Sequence, residues 1–310
     1  MPLDAISGDG RLSAARRLRY LVVNAIANRS AYRDVDPQIN IDDFRCDDAA
    51  GGVLEQPGTP SPSRALCDLY WQHLQWPALA ERLGPLRMLD IGCGSGEYAL
   101  RFARWSAGRI AQYVGVDIAA HPRWAEIERQ HGFIRFRAEG AERIDEVIAP
   151  GTNLIVSQSA LEHVADDRRI FEALHQYVER AGHPVLQLHA VPSAACLRTY
   201  LWHGYRQYTP RRLSAVTRAF ADDATRRIVR LGGRACNRLH FVWITWPEMI
   251  RRAGDRRAAR PDEYRAALAS AIVSDMGAPQ PSAAFLVLVI ESAPRSDARH
   301  RKSTAAPQTA

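Results

Sequence analysis

The chain has few features that would link it to a membrane, a disulfide scaffold or a zinc-binding module. Its five cysteines are odd in number and include no C-x-x-C pair, which excludes a disulfide framework and the usual zinc-finger spacings. Its longest apolar runs, 20–27 and 283–290, fall short of the roughly 18 residues that a membrane span needs. The first run is short and contains Asn24, which favours an amphipathic helix over a signal peptide. We therefore expect a cytoplasmic protein with reduced thiols.

Lysine is almost absent, whereas arginine is abundant. The formal net charge is +7, and Lys302 is the single lysine among 41 basic residues. Such a skew is explained more simply by a GC-rich genome than by a surface selected to bind nucleic acid. Residues 192–280 nevertheless hold 16 arginines against 7 acidic residues, and this local excess supports an anionic small-molecule partner.

The most informative stretch is a glycine-rich turn between a predicted strand and a predicted helix. The apolar run 86–91 predicts the strand, and Gly92, Gly94 and Gly96 follow at alternate positions. Glycine permits a tight turn with its backbone against a ligand, and the next helix directs its first N–H groups toward that ligand. A dinucleotide-binding fingerprint would need another glycine at 97, where Glu97 stands.

This turn and the acid before it resemble the first motif of class I methyltransferases, which bind S-adenosylmethionine (SAM). The resemblance implies that Asp90, Gly92, Gly94 and Gly96 hold the amino-acid end of this cofactor. It also implies that Asp117, at the end of the following strand, accepts the two ribose hydroxyls.

Two further cofactor contacts follow from the same resemblance. Relatives place an acid shortly after the third strand, where it meets the adenine amine. Gly140 occupies the aligned position here, so either Glu139 or a backbone carbonyl would serve. Ser157, at the end of the fourth strand, is also expected to contact the cofactor.

Two histidines are candidates for the general base. The segment 154–164 resembles the fourth-strand motif of methyltransferases that act on small molecules, quinones and sugars, and it contains His163. His189 lies near the end of the fifth strand, so adjacent parallel strands would bring both imidazoles to one crevice. The alternative is that His163 is a structural residue at a helix start. Some relatives hold a metal with an acid three residues before the Glu-His pair, where Ser159 stands, so we expect no metal.

The aromatic segment 200–213 is the candidate acceptor-binding region. In the resembling families this region covers the acceptor pocket, so Tyr205 and Tyr208 would stack on an acceptor and Arg206 would pair with an anionic group. An equally good explanation is that these side chains pack an insertion. Thr209 and Pro210 predict the N-cap and first residue of a helix.

The alternation of apolar strands and helices predicts an α/β fold with a doubly wound, mostly parallel, seven-stranded sheet and an antiparallel terminal hairpin. Expected strands are 86–91, 112–117, 133–137, 153–158, 184–189, 241–246 and 283–290. Expected helices are 11–30, 63–83, 97–106, 122–131, 141–148, 166–181, 247–253 and 261–275. The domain boundaries would be an N-terminal helix and loop extension (1–62), a methyltransferase domain (63–292) with an insertion at about 192–280, and a disordered tail (293–310).

The leading hypothesis is a SAM-dependent methyltransferase that methylates an oxygen of a sugar, a glycan intermediate or another small metabolite. An RNA acceptor is an alternative supported only by the arginine excess, because the tetrad typical of base-amine methylation is absent at 157–159. A non-catalytic, partner-binding protein with the same fold is a third. Residues 11–30, with arginines on one side of the predicted helix, also suggest contact with an anionic membrane surface.

Overall fold

The computed structural model describes residues 6–55, 58–251 and 255–294, and these contain eight strands that form one sheet. The strands are β1 (Asn40–Asp43), β2 (Leu86–Ile91), β3 (Ile110–Asp117), β4 (Ile134–Ala138), β5 (Leu154–Gln158), β6 (Val185–Pro192), β7 (Ala224–Leu231) and β8 (Phe285–Ser292). Their spatial order is β1-β7-β8-β6-β5-β2-β3-β4. Strand β8 runs antiparallel to both β6 and β7, whereas the other neighbouring pairs are parallel.

Helices cover both faces of the sheet, which confirms the doubly wound, mostly parallel α/β fold. The α-helices are α1 (Ala14–Asn28), α2 (Ala49–Leu54), α3 (Pro62–Gln72), α4 (Trp76–Leu83), α5 (Glu97–Trp105), α6 (Trp124–Gln130), α7 (Ile144–Val147), α8 (Asp167–Ala181), α9 (Cys196–Thr199), α10 (Pro210–Val216), α11 (Arg234–His240), α12 (Arg256–Ala259) and α13 (Pro261–Met276). Two π-helical segments, Phe241–Thr245 and Pro247–Arg251, follow α11. Each helix among the described residues is too short or too polar to cross a bilayer.

The two faces bury separate hydrophobic clusters. Leu66 of α3, Phe102 of α5 and Ile272 of α13 belong to the cluster on one face. Phe171 of α8 and Leu213 of α10 belong to the cluster on the other. All eight residues of β6 are buried, as expected for a strand in the middle of a sheet that is covered on both sides.

The strand predicted at 241–246 is wrong, because this segment is helical. Aromatic and β-branched residues favour strands, but a short apolar run is also compatible with a helix packed on a core. The partner of β8 is instead β7, which the sequence analysis missed. Three arginines within β7 hide its strand pattern, although Arg226, Ile228, Val229 and Leu231 are buried.

The N-terminal extension, predicted as one helix followed by loop, also contains β1 and α2. Strand β1 adds an eighth member to the predicted seven, by pairing with β7 at the sheet edge. The helix predicted at 63–83 is two helices, since α3 ends at Gln72 and α4 begins at Trp76. The predicted helix at 247–253 is π-helical over Pro247–Arg251. Apart from residues 293 and 294, the predicted tail lies outside the described residues.

Candidate active site at the carboxyl edge of the sheet

The glycine turn has the conformation that its sequence predicts. Gly92, Gly94 and Gly96 all have positive φ angles, of 79°, 53° and 79°. A Cβ at Gly92 would lie 2.2 Å from the Cβ of Ala160, whereas a Cβ at Gly94 would meet no atom within 4 Å. The turn is therefore packed against protein at Gly92 and open at Gly94, where a ligand can approach the backbone.

A cavity of about 370 Å³ opens beside this turn. That volume lies within the range of small-molecule sites. Residues 92–95 line one wall, and the ends of β5 and the segment after β6 supply Gln158, His163, Tyr200 and His203. The cavity thus lies at the carboxyl ends of the strands, where open α/β sheets bind their ligands.

Asp90 lies in the core near the end of β2, directly before the glycine turn. Its side chain is buried, and the hydroxyl of Tyr113 donates a hydrogen bond of 2.5 Å to its Oδ2. Burial raises the pKa of Asp90 to about 7. The carboxyl does not belong to the lining of the cavity, so its position fits a role in holding the turn rather than the predicted direct contact with the cofactor.

Asp117 lies at the end of β3, as predicted, and binds the glycine turn. The Gly94 amide donates a hydrogen bond of 2.8 Å to its Oδ2. The next residue, Ile118, has 79% of its surface exposed. Glu139 donates its amide to the Asp117 carbonyl, and its carboxylate pairs with Arg143 at 3.1 Å.

The structure places His189, the second predicted base, in the core and outside the lining of the cavity. This side chain is fully buried, its Nδ1 lies 2.9 Å from the hydroxyl of Ser157, and its ring contacts Phe171 edge-on. Burial lowers the pKa of His189 to about 3, so the imidazole stays neutral. Alternate residues of a strand point to opposite faces, and both Ser157 and His189 point into the core rather than toward the cavity. The predicted cofactor contact of Ser157 is therefore also not supported.

His163 does line the cavity, and it stands in a cluster with two residues that the sequence analysis did not assign. Its Nδ1 lies 2.7 Å from Oδ2 of Asp9, and its ring is perpendicular to that of His203 at a centroid distance of 4.6 Å. Glu162 is fully buried behind both rings, with Oε1 3.5 Å from Nε2 of His203.

Charges and hydrogen bonds within this cluster shift the pKa values of two of its members. Burial acts to raise the pKa of Asp9, but the Gly204 amide and His163 hold it below its usual value. Burial acts to lower the pKa of His203, but the hydrogen bond to Glu162 and the charges of Glu162 and Asp9 raise it.

Comparisons with known proteins agree with this geometry. The model of a family described as "Methyltransferase domain" matches residues 64–225, just over half of the chain. The chain belongs to this family. An uncharacterised methyltransferase of Mycobacterium bovis is 32% identical over 135 residues, which are 42% of this chain and 64% of that protein. A ubiquinone biosynthesis O-methyltransferase of Cronobacter sakazakii is 29% identical over 34% of this chain and 44% of its own length.

Solved structures resemble the methyltransferase domain more distantly. The plantazolicin methyltransferase BamL is 13% identical, with a TM-score of 0.46, over 74% of this chain and 85% of its own. A phosphoethanolamine N-methyltransferase of Haemonchus contortus is 16% identical, with a TM-score of 0.44, over 75% of this chain and 57% of its own.

In this methyltransferase domain, two of the three predicted acceptor residues are structural. Arg206 is 2% exposed and donates hydrogen bonds to the carbonyls of Val164 and Ala165, at 2.5 and 2.6 Å. Tyr208 is fully buried and donates to Asp167 at 2.7 Å. Tyr205 is half-buried beneath the Arg206 guanidinium and is absent from the cavity wall. These three side chains pack the insertion, which was the alternative explanation, whereas Tyr200 and His203 of the same segment line the cavity.

The methyltransferase domain also has a polar wall that the sequence analysis missed. Arg64 lines the cavity with its guanidinium 5.0 Å from the centre of the Tyr98 ring. The Tyr98 hydroxyl donates to the buried carboxylate of Asp68, which also pairs with Arg101. Burial raises the pKa of Asp68. These side chains come from α3 and α5, so only the fold brings them to the glycine turn.

Proposed function

We propose that this protein is a SAM-dependent methyltransferase. The observation that carries the proposal is the open backbone at Gly94 beside a cavity of about 370 Å³, inside a chain of the methyltransferase-domain family. SAM carries an amino-acid tail, a ribose and an adenine, and the cavity and the adjoining surface offer a chemically matched group for each.

Three side chains fit the three parts of the cofactor. Arg64 is a cation at the cavity wall, suited to a carboxylate. Asp117 is suited to the ribose hydroxyls, and it is already fixed by the Gly94 amide. The exposed Ile118 beside it offers an apolar surface for the adenine ring. With SAM bound, its sulfonium methyl group is the group transferred.

Oxygen methylation of a sugar or another small metabolite remains the proposal for the acceptor. The relative from Cronobacter sakazakii, whose printed name is that of an O-methyltransferase, supports the oxygen as the methylated atom. The RNA alternative loses support because several arginines of residues 192–280 form internal pairs. Arg206, Arg212, Arg226 and Arg230 pair with Asp167, Asp36 or Asp43.

Calorimetry with SAM and its demethylated product tests the proposal. We expect one site per chain, and we expect Asp117→Ala and Arg64→Ala each to weaken binding by about tenfold or more, as lost charge-assisted hydrogen bonds should. Asp145→Ala, an exposed acid on α7, is the matched control and should bind like wild type. Absence of binding to wild type would overturn the proposal, and an unchanged affinity in Asp117→Ala would remove the ribose assignment.

We also propose that α1 contacts an anionic membrane surface. Leu18, Val22 and Ile26 lie at intervals of four on this helix and are 65%, 48% and 59% exposed, so they form an uncovered apolar stripe. Arg16, Arg17 and Arg19 flank it with positive charge, which is the pattern of an interfacial helix. A groove of about 1190 Å³ beside α1, lined by Leu21, Phe241 and Trp246, adds apolar surface.

Co-sedimentation with vesicles tests this contact. The triple variant Leu18→Ser, Val22→Ser, Ile26→Ser should lose binding to phosphatidylglycerol vesicles, because about 0.8 kcal/mol of affinity comes from each buried methylene group. Val273→Ser is the control, since this residue of α13 is also 48% exposed but outside the stripe. Equal sedimentation of wild type with anionic and neutral vesicles, or no loss in the triple variant, would contradict the proposal.

A further inference from the structure

We propose that Asp9, His163 and His203 form a binding site for a divalent cation of the zinc class, with Glu162 directly behind them. The inference deepens the proposed function and rests on it for the role of the cation, though not for its binding. One ligand atom from each of the three residues lies within 4.8 Å of the other two.

The donor set has the composition of a catalytic metal site. Two imidazoles and one carboxylate, with a position left open, are the ligands of catalytic zinc in several enzyme classes. Asp9 and Glu162 place a carboxyl group on each side of His203, with Oδ1 of Asp9 3.8 Å from its Nδ1 and Oε1 of Glu162 3.5 Å from its Nε2. Carboxylate oxygens beside imidazole nitrogens are ligands that a divalent cation accepts.

Glu162 supplies an observation independent of the three ligands. Its side chain is fully buried, and its Oε2 has no hydrogen-bond partner among the residues that the structure describes. Its Oε1 accepts a hydrogen bond of 2.6 Å from Ser159 and lies 3.8 Å from Nε2 of His163. A buried carboxylate with an unpartnered oxygen costs free energy unless a charge compensates it, and the proposed cation is that charge.

Backbone hydrogen bonds of the N-terminal segment hold Asp9 beside the two histidines. The Gly8 amide donates to the Gly204 carbonyl at 2.6 Å, and the Gly204 amide donates to Oδ1 of Asp9 at 2.9 Å. A Cβ at Gly8 would lie 2.5 Å from the His203 amide, so the two segments touch backbone to backbone. The hydroxyl of Tyr20 on α1 donates to the His203 carbonyl at 2.7 Å and fixes the other side.

The position of the site assigns the cation a role in activating the acceptor. His163 and His203 both line the cavity beside the glycine turn, so an acceptor hydroxyl can occupy the open coordination position. Coordination lowers the pKa of a bound hydroxyl, which then releases its proton to water. The oxygen lone pair attacks the methyl carbon of SAM, the O–C bond forms, and the S–C bond breaks. Its electron pair returns to sulfur, which becomes the neutral thioether of the demethylated cofactor.

Calorimetric titration of the chelator-treated full chain with Zn²⁺ alone tests the site. We expect one Zn²⁺ per chain, and we expect Asp9→Asn and His203→Ala each to weaken binding by at least about tenfold, the loss that even outer-shell changes at metal sites cause. His131→Ala is the matched control, because this histidine lies between α6 and the start of β4, outside the proposed cluster. Co²⁺ gives a second readout, since its visible absorption reports the ligand geometry.

Two results would overturn the inference. One is the absence of stoichiometric Zn²⁺ binding, which would leave the cluster a network of histidine–carboxylate ion pairs. The other is an affinity that is the same in wild type, Asp9→Asn and His203→Ala. SAM titrations on the same samples separate the two proposals, because SAM binding without Zn²⁺ binding refutes the cation site alone. Failure of wild type to bind SAM refutes the proposed function whatever Zn²⁺ does.

Discussion

His163 and His189 follow neighbouring strands, but burial gives them different chemistry. The side chain of His163 is 37% exposed at the cavity, whereas His189 is fully buried against Phe171. A buried neutral imidazole cannot exchange protons with an acceptor that does not reach it. His189 therefore contributes to stability, through the packing of the sheet and its hydrogen bond with Ser157.

The pH dependence of unfolding should reveal this role. The folded pKa of His189 is about 3, below the ordinary value near 6.5, so the unfolded chain takes up a proton that the folded chain refuses. Its stabilising contribution is complete above pH 6.5 and is lost as the pH falls from 6.5 toward 3, by up to about 5 kcal/mol at about 1.4 kcal/mol per unit.

We expect His189→Asn to be less stable than wild type at pH 8 by about 1–3 kcal/mol, because a smaller side chain leaves a cavity. Its free energy of unfolding should decrease less steeply than that of wild type between pH 6.5 and 4.5, measured by urea denaturation. Its SAM affinity at pH 8 should stay within about twofold of wild type. A large loss of SAM affinity in a folded variant would return His189 to the active site.

At the scale of elements, the glycine turn contains one residue that is packed against protein and, two positions later, one that is open to a ligand. Gly92 is confined by Ala160 and Gly94 faces open space, although both have positive φ angles. The same substitution at the two positions should therefore have different consequences. A methyl group at 92 collides with protein, and a methyl group at 94 occupies the place of the cofactor.

We expect Gly92→Ala to lower the free energy of unfolding by about 2–4 kcal/mol, from the collision together with backbone strain. Gly94→Ala should cost about 1 kcal/mol of stability, from the φ angle alone, and should weaken SAM binding by tenfold or more. Thermal denaturation measures the stability of each variant, and calorimetry with SAM measures its affinity for the cofactor. Wild-type SAM affinity in Gly94→Ala would show that the cofactor does not approach this turn.

The elements also show what local sequence can predict. Strand β2 and the helix after it agree with their predicted bounds within one residue, because an apolar run ends at glycines whose conformations few other residues adopt. Strand β7 was missed because its arginines are satisfied by partners remote in sequence, such as Asp43 on β1. The strand prediction for 241–246 was wrong because a strand and a buried helix can have the same apolar composition.

At the scale of the whole molecule, the candidate site depends on contacts between distant parts of the chain. Asp9 and His203 are separated by almost 200 residues, and neither belongs to a local motif. The glycine turn and Asp117 were predictable because one βαβ unit contains both. The positions of Arg64, Tyr98, Asp9 and His203 were not predictable. Their proximity to the turn follows from how α3, α5 and the N-terminal segment pack.

The N-terminal region is an integral part of the sheet, because it contributes one of the strands. Strand β1 covers the edge of β7, and Asp36 pairs with Arg226, whose side chain is 1% exposed. A chain that begins at residue 63 would leave that guanidinium without its carboxylate partner and would expose the edge of β7 to other chains.

We therefore expect the chain lacking residues 1–62 to aggregate or to unfold without a cooperative transition. The chain lacking residues 1–10 keeps α1 and β1, so it should unfold cooperatively and bind SAM within a fewfold of wild type, but it should lose the Zn²⁺ site with Asp9. Size-exclusion chromatography, thermal denaturation and the two titrations distinguish these outcomes. A monomeric chain 63–310 with the wild-type transition would instead show that the methyltransferase domain folds without the N-terminal extension, since the edge of β7 would not need β1 and the Arg226 charge would not need Asp36.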